Sequence, residues 1–311
     1  MNILFYGRGA VATLYGWALA QAGHSVEFWD RPDEEDRTIA SLKILDARTN
    51  PKGVTVAGSW APVIKTDFPE THEYDLMAVC VRHDRLGLAL KSLRPRLGGS
   101  ALLVFGNVWE EPKMLSEGWP ADRLAWAYPS AGGLVDDEGT LSGALLANVH
   151  VGGIEAEPTS VQRAVTELFL QAGFRVEEHD DFRGWLWLQF VVGAGMAAQS
   201  LEAGSVERLM RSPVELKKAI LTIRELFSLV AARGADLSHF IAETGPFRFP
   251  AWLGGLILQT TLRSQEPVRV VWEAGDASER MAICRDVLAE ARRLGIPVPR
   301  LKASEALFTP S

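Results

Sequence analysis

Cysteine is scarce in this chain of 311 residues: Cys80 and Cys284 are the only two, each inside an apolar segment and far apart in sequence. A disulfide framework or a zinc site is therefore not expected, nor is any other metal site, and a reducing cytoplasm fits such usage. Positive charge is scarce as well. There are 32 Lys and Arg against 39 Asp and Glu, a net charge of −7 and a pI near 5.5. Nucleic acids and anionic membrane surfaces usually select clustered Lys and Arg, so neither is expected as a partner. A long hydrophobic run is also missing. The longest uncharged stretch, "GWLWLQFVVGAGMAAQSL" from Gly184 to Leu201, is a little short for a bilayer span and carries two Gln and three Gly. It reads as a buried core helix. The start "MNILFYGRG" has no basic opening, apolar core or cleavage site of a signal peptide, and it reads as a strand of a protein that is not exported.

What is present is ordinary globular stock, 47% apolar and 23% charged, enough for a sizeable core and two domains. The first half alternates apolar runs with helical patterns: "NILFYG", "VATLYGWALAQAG", "SVEFWD", "VTVAG", "DLMAVCV" and "ALLVFGN". Such alternation indicates βαβ units around a mostly parallel sheet. "GALLANVHVGG" and "FRVEEHD" read as further strands flanking a helix from Ser160 to Ala172, and beyond about Arg183 the pattern turns helical. The fold class expected is α/β. A Rossmann-type α/β domain is expected over residues 1–180 and an all-α domain over 181–311.

In "NILFYGRGAVATLYGWALAQAGHSVEFWDR" a strand leads into Gly7, Gly9 and Ala12 at G-x-G-x-x-G/A spacing, then into a helix and a second strand. The first Gly permits a tight turn, the second lets backbone approach a pyrophosphate, and the third small residue allows close helix–strand packing. The helix N-terminus adds its partial positive charge. Gly7, Gly9, Ala10 and Ala12 are thus the expected contacts of a dinucleotide. After the second strand, Asp30 suits the ribose hydroxyl of NAD and Arg31 the 2′-phosphate of NADP; Arg31 favours NADP, with Asp30 as a turn cap the competing reading.

The segments "GRGAVA", "GHSVEFWDR", "YDLMAVCVR", "LLVFGNVWEEPKML" and "LAEARRLGIPVPRL" make the chain resemble the ketopantoate reductases (2-dehydropantoate 2-reductases) over nearly its whole length. The resemblance implies NADPH-dependent reduction of a 2-keto group in a cleft between a Rossmann domain and a helical domain. It also implies that Arg31 binds NADP, that Asn107 lies near the nicotinamide and helps orient a catalytic lysine, and that Arg82, replacing a common lysine, faces an anion of the cofactor. Without it, Asn107 reads as a turn residue and Arg82 as a surface arginine.

The resemblance places that lysine on the long uncharged helix, with asparagines four and eight residues on. Here those positions hold Gln189, Gly193 and Ala197, on one helical face, so the substrate side has lost charge and volume together. Gln189 donates a hydrogen bond but releases no proton. Arg269 stands where the family has a glutamate, and Gly254 and Gly255 stand about where it has serines for the substrate's polar end. Arg269 could hold a carboxylate or simply pair with Glu273. Gln189, Asn107 and Arg269 are the candidate catalytic residues; Gly193, Ala197, Gly255 and Arg269 are the candidate substrate contacts. His24, His83, His179 and His239 read as surface or capping residues, and the tryptophans, Trp185, Trp187, Trp252 and Trp272 among them, mostly as core.

The function expected is NADPH-dependent hydride transfer to a 2-keto acid, another carbonyl or an imine, with the losses counting against ketopantoate itself and against a place in pantothenate biosynthesis. A non-catalytic NADP(H)-binding protein on the same fold is the alternative, and a ketopantoate reductase in which a neighbouring group replaces the lysine is a third reading. The partner expected is a small molecule, and a homodimer stays open.

Overall fold

The structure is a computed structural model that describes residues 1–29, 39–65, 68, 72–154 and 157–309. The chain divides into two compact units, Met1–Phe182 and Arg183–Ser311. Strands of the first unit are β1 (Asn2–Tyr6), β2 (Ser25–Trp29), β3 (Ser41–Asp46), β4 (Val54–Ser59), β5 (Val63–Lys65), β6 (Leu76–Val79), β7 (Ala101–Phe105), β8 (Leu124–Tyr128), β9 (Ala131–Val135), β10 (Thr140–Leu145), β11 (Asn148–Gly152) and β12 (Arg175–His179). Its helices are α1 (Ala10–Gln21), α2 (His83–Leu93), α3 (Pro112–Leu115) and α4 (Ser160–Gln171).

Eight strands pair in the order β12-β11-β8-β7-β6-β1-β2-β5. All neighbours from β5 to β8 are parallel. Counting β5 as the third strand and β6, β7 and β8 as the fourth to sixth gives the doubly wound order 3-2-1-4-5-6. Its reversal point lies between β1 and β6. The central strands β6 and β7 are buried almost throughout, which is why "LMAV" and "ALLVF" are unbroken apolar runs rather than alternating ones.

A second sheet, β4-β3-β10-β9, departs from the expectation. "VTVAG" is not a strand of the parallel sheet; it is β4, an exposed edge of the small one. "GALLANVHVGG" is split, β10 going to the small sheet and β11 to the large. A short apolar run carries no mark of which sheet it joins. The small sheet explains α1, whose residues from Ala12 to Leu19 are all buried. On one side Gly16 meets Phe28, and on another Leu14 lies against Gly143 of β10. The Tyr15 hydroxyl accepts from the Ser130 N–H at 3.0 Å.

Among its described residues the second unit is entirely helical: α5 (Phe182–Ala203, whose first residue closes the first unit), α6 (Val206–Arg211), α7 (Pro213–Ala232), α8 (Ile241–Arg248), α9 (Ala251–Ser264), α10 (Glu266–Glu273), α11 (Ala277–Leu294) and α12 (Pro299–Ala303). Ser212 caps α7 by accepting from the Glu215 N–H, with Pro213 in the first turn; Gly295 ends α11 in the left-handed region at φ 68°. Met196, Leu216, Ala219, Ile223 and Leu262 lie at the heart of one core, against which Val192 of α5 and Val268 and Trp272 of α10 also pack. No helix among the described residues is long and apolar enough to cross a membrane. Both cysteines are free, and burial pushes each thiol up to about 12, so neither is a thiolate at neutral pH.

Candidate functional site

The loops after β1, β6 and β7 converge at the reversal point of the large sheet. Gly7 follows β1 at φ 98°, and a Cβ there would stand 2.8 Å from the Cys80 carbonyl oxygen just after β6. Only glycine satisfies both the torsion and the contact. The Gly7 N–H donates to the Trp29 carbonyl at 3.2 Å, which ties the turn to β2. Gly9 is the N-cap of α1 with extended backbone, and a Cβ on it would meet nothing within 4 Å. A ligand's phosphates can therefore approach the first N–H groups of α1 over Gly9. Ala10 is half-buried in the first turn and Ala12 is fully buried. The tightest helix–strand approach belongs instead to Gly16, where a Cβ would come 2.5 Å from the Phe28 ring. An isolated glycine inside the helical pattern "LYGWAL" is the signal that marks it.

Asn107 follows β7. Its Oδ1 is buried without a hydrogen-bond partner. An unpaired buried acceptor costs about 1–3 kcal/mol, so a ligand that donates to it, as the carboxamide of a nicotinamide can, would relieve the cost. The adjacent Gly106 lies against the Val81 carbonyl, its Cβ position 3.5 Å away, which brings the loops after β6 and β7 together. Arg82 begins the next helix as its N-cap residue and forms a two-pronged pair with Asp84, at 3.1 and 2.9 Å. An anion would have to compete with that carboxylate. Asp30 and Arg31, which carry the choice between NAD and NADP, lie outside the described residues.

In the second unit, α5 is buried from Gly184 to Ser200 except at Gln189, Val192 and Gly193, which are half-buried. Their spacing of three and four makes one accessible strip. Gln189 is thus not the fully buried amide that the run of apolar neighbours suggested, and no protein group hydrogen-bonds its side chain among the described residues. A Cβ on Gly193 would meet nothing within 4 Å. Ala197 departs from the stripe, being 4% exposed in the packed part of the helix. Gly255 also departs from its expected role. It is buried where α9 crosses α7, and a Cβ would stand 2.8 Å from the Pro213 carbonyl oxygen, so it serves helix packing. Arg269 is 42% exposed and paired on its own helix with Glu266 at 3.3 Å and Glu273 at 3.8 Å. Its charge is already answered locally. Trp185 and Trp187 are core, whereas Trp252 is 59% exposed.

Two of the expected capping histidines are ordinary: the N-terminal ammonium lies 3.3 Å from His24 Nδ1, and His239 is exposed near Asp236. His83 is buried at the start of α2. His179 differs, because its Nε2 lies 3.0 Å from Nδ1 of His150, a residue the sequence did not single out. Burial, and then the charge His179 would carry, push His150 down to about 4. Glu177, 3.3 Å away, favours the protonated ring, but its carboxylate is 46% exposed and screened. Unfolding returns His150 to about 6.5, so between these limits the unfolded chain binds the extra proton. The stability involved is complete above pH 6.5 and lost as pH falls toward 4, amounting to about 3 kcal/mol at most. Urea unfolding across that window is expected to show a slope that His150→Asn flattens; equal slopes in both proteins would contradict it.

Residues 3–155 match the family model described as "Ketopantoate reductase PanE/ApbA". Over those residues the chain is similar to the ketopantoate reductase family. No curated protein matches it in sequence. Among solved structures, 2-dehydropantoate 2-reductase from Geobacter metallireducens GS-15 is similar at 19% identity over 99% of each chain, with a TM-score of 0.71. A D-mandelate dehydrogenase in complex with NADH is similar at 12% identity over 99% of this chain and 97% of that one, with a TM-score of 0.68. A dimeric ketopantoate reductase from Staphylococcus aureus is similar at 11% identity over 98% of each chain, with a TM-score of 0.61. At such identities the likeness is one of fold. The ketopantoate reductase fold accounts for the α/β first unit and the helical second one.

Proposed function

We propose that this chain is a ketopantoate reductase family member and an NADPH-dependent oxidoreductase that transfers hydride to a 2-keto acid or a related carbonyl or imine. The observation that carries the reading is the reversal point: a glycine turn that admits no side chain at Gly7, open space over Gly9, and the unpaired Oδ1 of Asn107. These features fit a dinucleotide, with phosphates over Gly9 and the α1 N-terminus, a carboxamide donating to Asn107, and Arg31 on a 2′-phosphate. The reduced nicotinamide supplies the hydride.

In the second unit Gln189 presents an amide that no protein group engages among the described residues. Its Nε2–H₂ donates to the carbonyl oxygen of the substrate and draws charge onto that oxygen as hydride arrives. The amide holds no transferable proton, so the alkoxide takes its proton from water. The open space at Gly193 admits a substrate side chain bulkier than that of ketopantoate.

NADPH consumption with ketopantoate, bulkier 2-keto acids and imines, together with dissociation constants for NADPH and NADH, tests the reading. Turnover of a bulky 2-keto acid and tighter binding of NADPH are expected. Tight NADPH binding with no turnover of any substrate would instead leave a non-catalytic cofactor-binding protein, and a clear preference for NADH would remove the role given to Arg31.

A further inference from the structure

The edge of the large sheet carries a group of side chains that the nucleotide turn does not use. β11 and β12 run parallel in a register that sets His150 opposite Glu177 and Gly152 opposite His179. Glu177 and His179 are two residues apart on one strand and share a face, and the register adds His150 to that face. The alternate residues of β11, Val149 and Val151, fill the core on the other side. Strand alternation alone therefore gathers two imidazoles and a carboxylate.

The distances are short. His150 Nδ1 is 3.0 Å from His179 Nε2 and 3.3 Å from Glu177 Oε2, and one donor atom from each residue lies within 4.8 Å of the others. A ring nitrogen has a single in-plane proton or lone pair, so His150 Nδ1 cannot satisfy both neighbours at once. A shared cation satisfies all three. Two ligand atoms about 2.0–2.1 Å from a tetrahedral zinc ion are about 3.3 Å apart, close to both spacings here. The two rings lie with centroids 5.3 Å apart and planes 29° from parallel, their facing nitrogens at hydrogen-bond distance. Admitting the ion needs only a tautomer change and a modest tilt of the rings.

The surroundings support such a site. Asn148 Nδ2 donates to Glu177 Oε1 and holds the carboxylate with Oε2 toward His150. Tyr128 is the register partner of His150 on β8, and the Phe182 ring stacks on His179, 6.1 Å between centroids. Two rings thus flank the group.

We propose that His150, Glu177 and His179 bind a divalent first-row cation, zinc(II) by the two-imidazole, one-carboxylate donor set, with a fourth position filled by water. Imidazole and carboxylate together suit zinc, and three protein ligands with one water is an arrangement zinc commonly adopts.

The test uses the full chain, stripped with a chelator, titrated with zinc chloride against a chromophoric competitor and separately with cobalt(II). One equivalent per chain is expected, with the intense visible bands of four-coordinate cobalt. His150→Ala and Glu177→Gln each weaken zinc by at least the ~10–100-fold that loss of a supporting residue costs. Circular dichroism of the metal-free variants checks that they fold, and Glu177→Gln, at a half-exposed position, carries the test if His150→Ala does not. Absence of a stoichiometric tight site in the wild type overturns the proposal. So does binding that is equal in the wild type and in Glu177→Gln, since the metal then sits elsewhere.

Discussion

Replacing Gln189 with lysine is expected to raise kcat for reduction of a 2-keto acid by about 10²–10⁴-fold, the range that a positioned general acid contributes. The position can take the change. Gln189 is half-buried and, among the described residues, its amide has no protein hydrogen bond to lose, so a longer side chain with its charge toward water costs little stability. Lysine adds both a full positive charge for the developing alkoxide and a proton to deliver. A second signature follows from the same chemistry: the variant's kcat falls at high pH as the new ammonium deprotonates, whereas the wild type shows no such limb. Steady-state rates with ketopantoate and with a bulkier 2-keto acid measure both effects. An unchanged rate with every substrate would mean that the space at Gly193 and the paired state of Arg269 have remade the substrate side beyond repair by one residue.

Gly7→Ala is expected to abolish NADPH binding and to destabilise the protein. The backbone at Gly7 holds φ 98°, where a side chain costs about 1–3 kcal/mol, and the new Cβ would stand 2.8 Å from the Cys80 carbonyl oxygen. That oxygen is backbone just beyond β6. It cannot retreat without moving the reversal point of the sheet. Gly9→Val separates binding from folding, because Gly9 has φ −66° and ψ 169°, which suit any residue, and its Cβ direction is empty. Thermal denaturation and fluorescence titration with NADPH are expected to show both properties damaged in Gly7→Ala, and only binding damaged in Gly9→Val. Wild-type affinity in Gly9→Val would show that no phosphate passes over that turn.

The parts of this fold that the sequence makes legible are local. Strand, glycine turn and helix from Asn2 to Gln21 are contiguous, and the torsion demanded of Gly7 leaves its mark in residue type. The caps of α7 and α11 are legible for the same reason. Partnerships between distant segments are not. Nothing in "VTVAG" says that it pairs with β3 rather than with the large sheet, and β3 itself passes unnoticed because "SLKILD" is half polar. The exposure of Gln189 is hidden because its apolar neighbours on both sides in sequence face other directions on the helix. Gly255 shows the converse. A glycine in a segment that a family resemblance assigns to substrate serves the crossing of two helices, and only the structure distinguishes the uses. His150 and His179 meet through a strand register, which no spacing encodes.

On the proposed reading, hydride passes from NADPH to a carbonyl or imine carbon without a lysine to supply the proton. NADPH carrying deuterium at the transferring C4 position, incubated with the protein and a bulky 2-keto acid, tests it by mass spectrometry of the hydroxy acid. Deuterium is expected on the carbon that bears the hydroxyl group, one for each NADPH consumed. NADPH that binds tightly yet leaves every keto acid and imine unlabelled would contradict it.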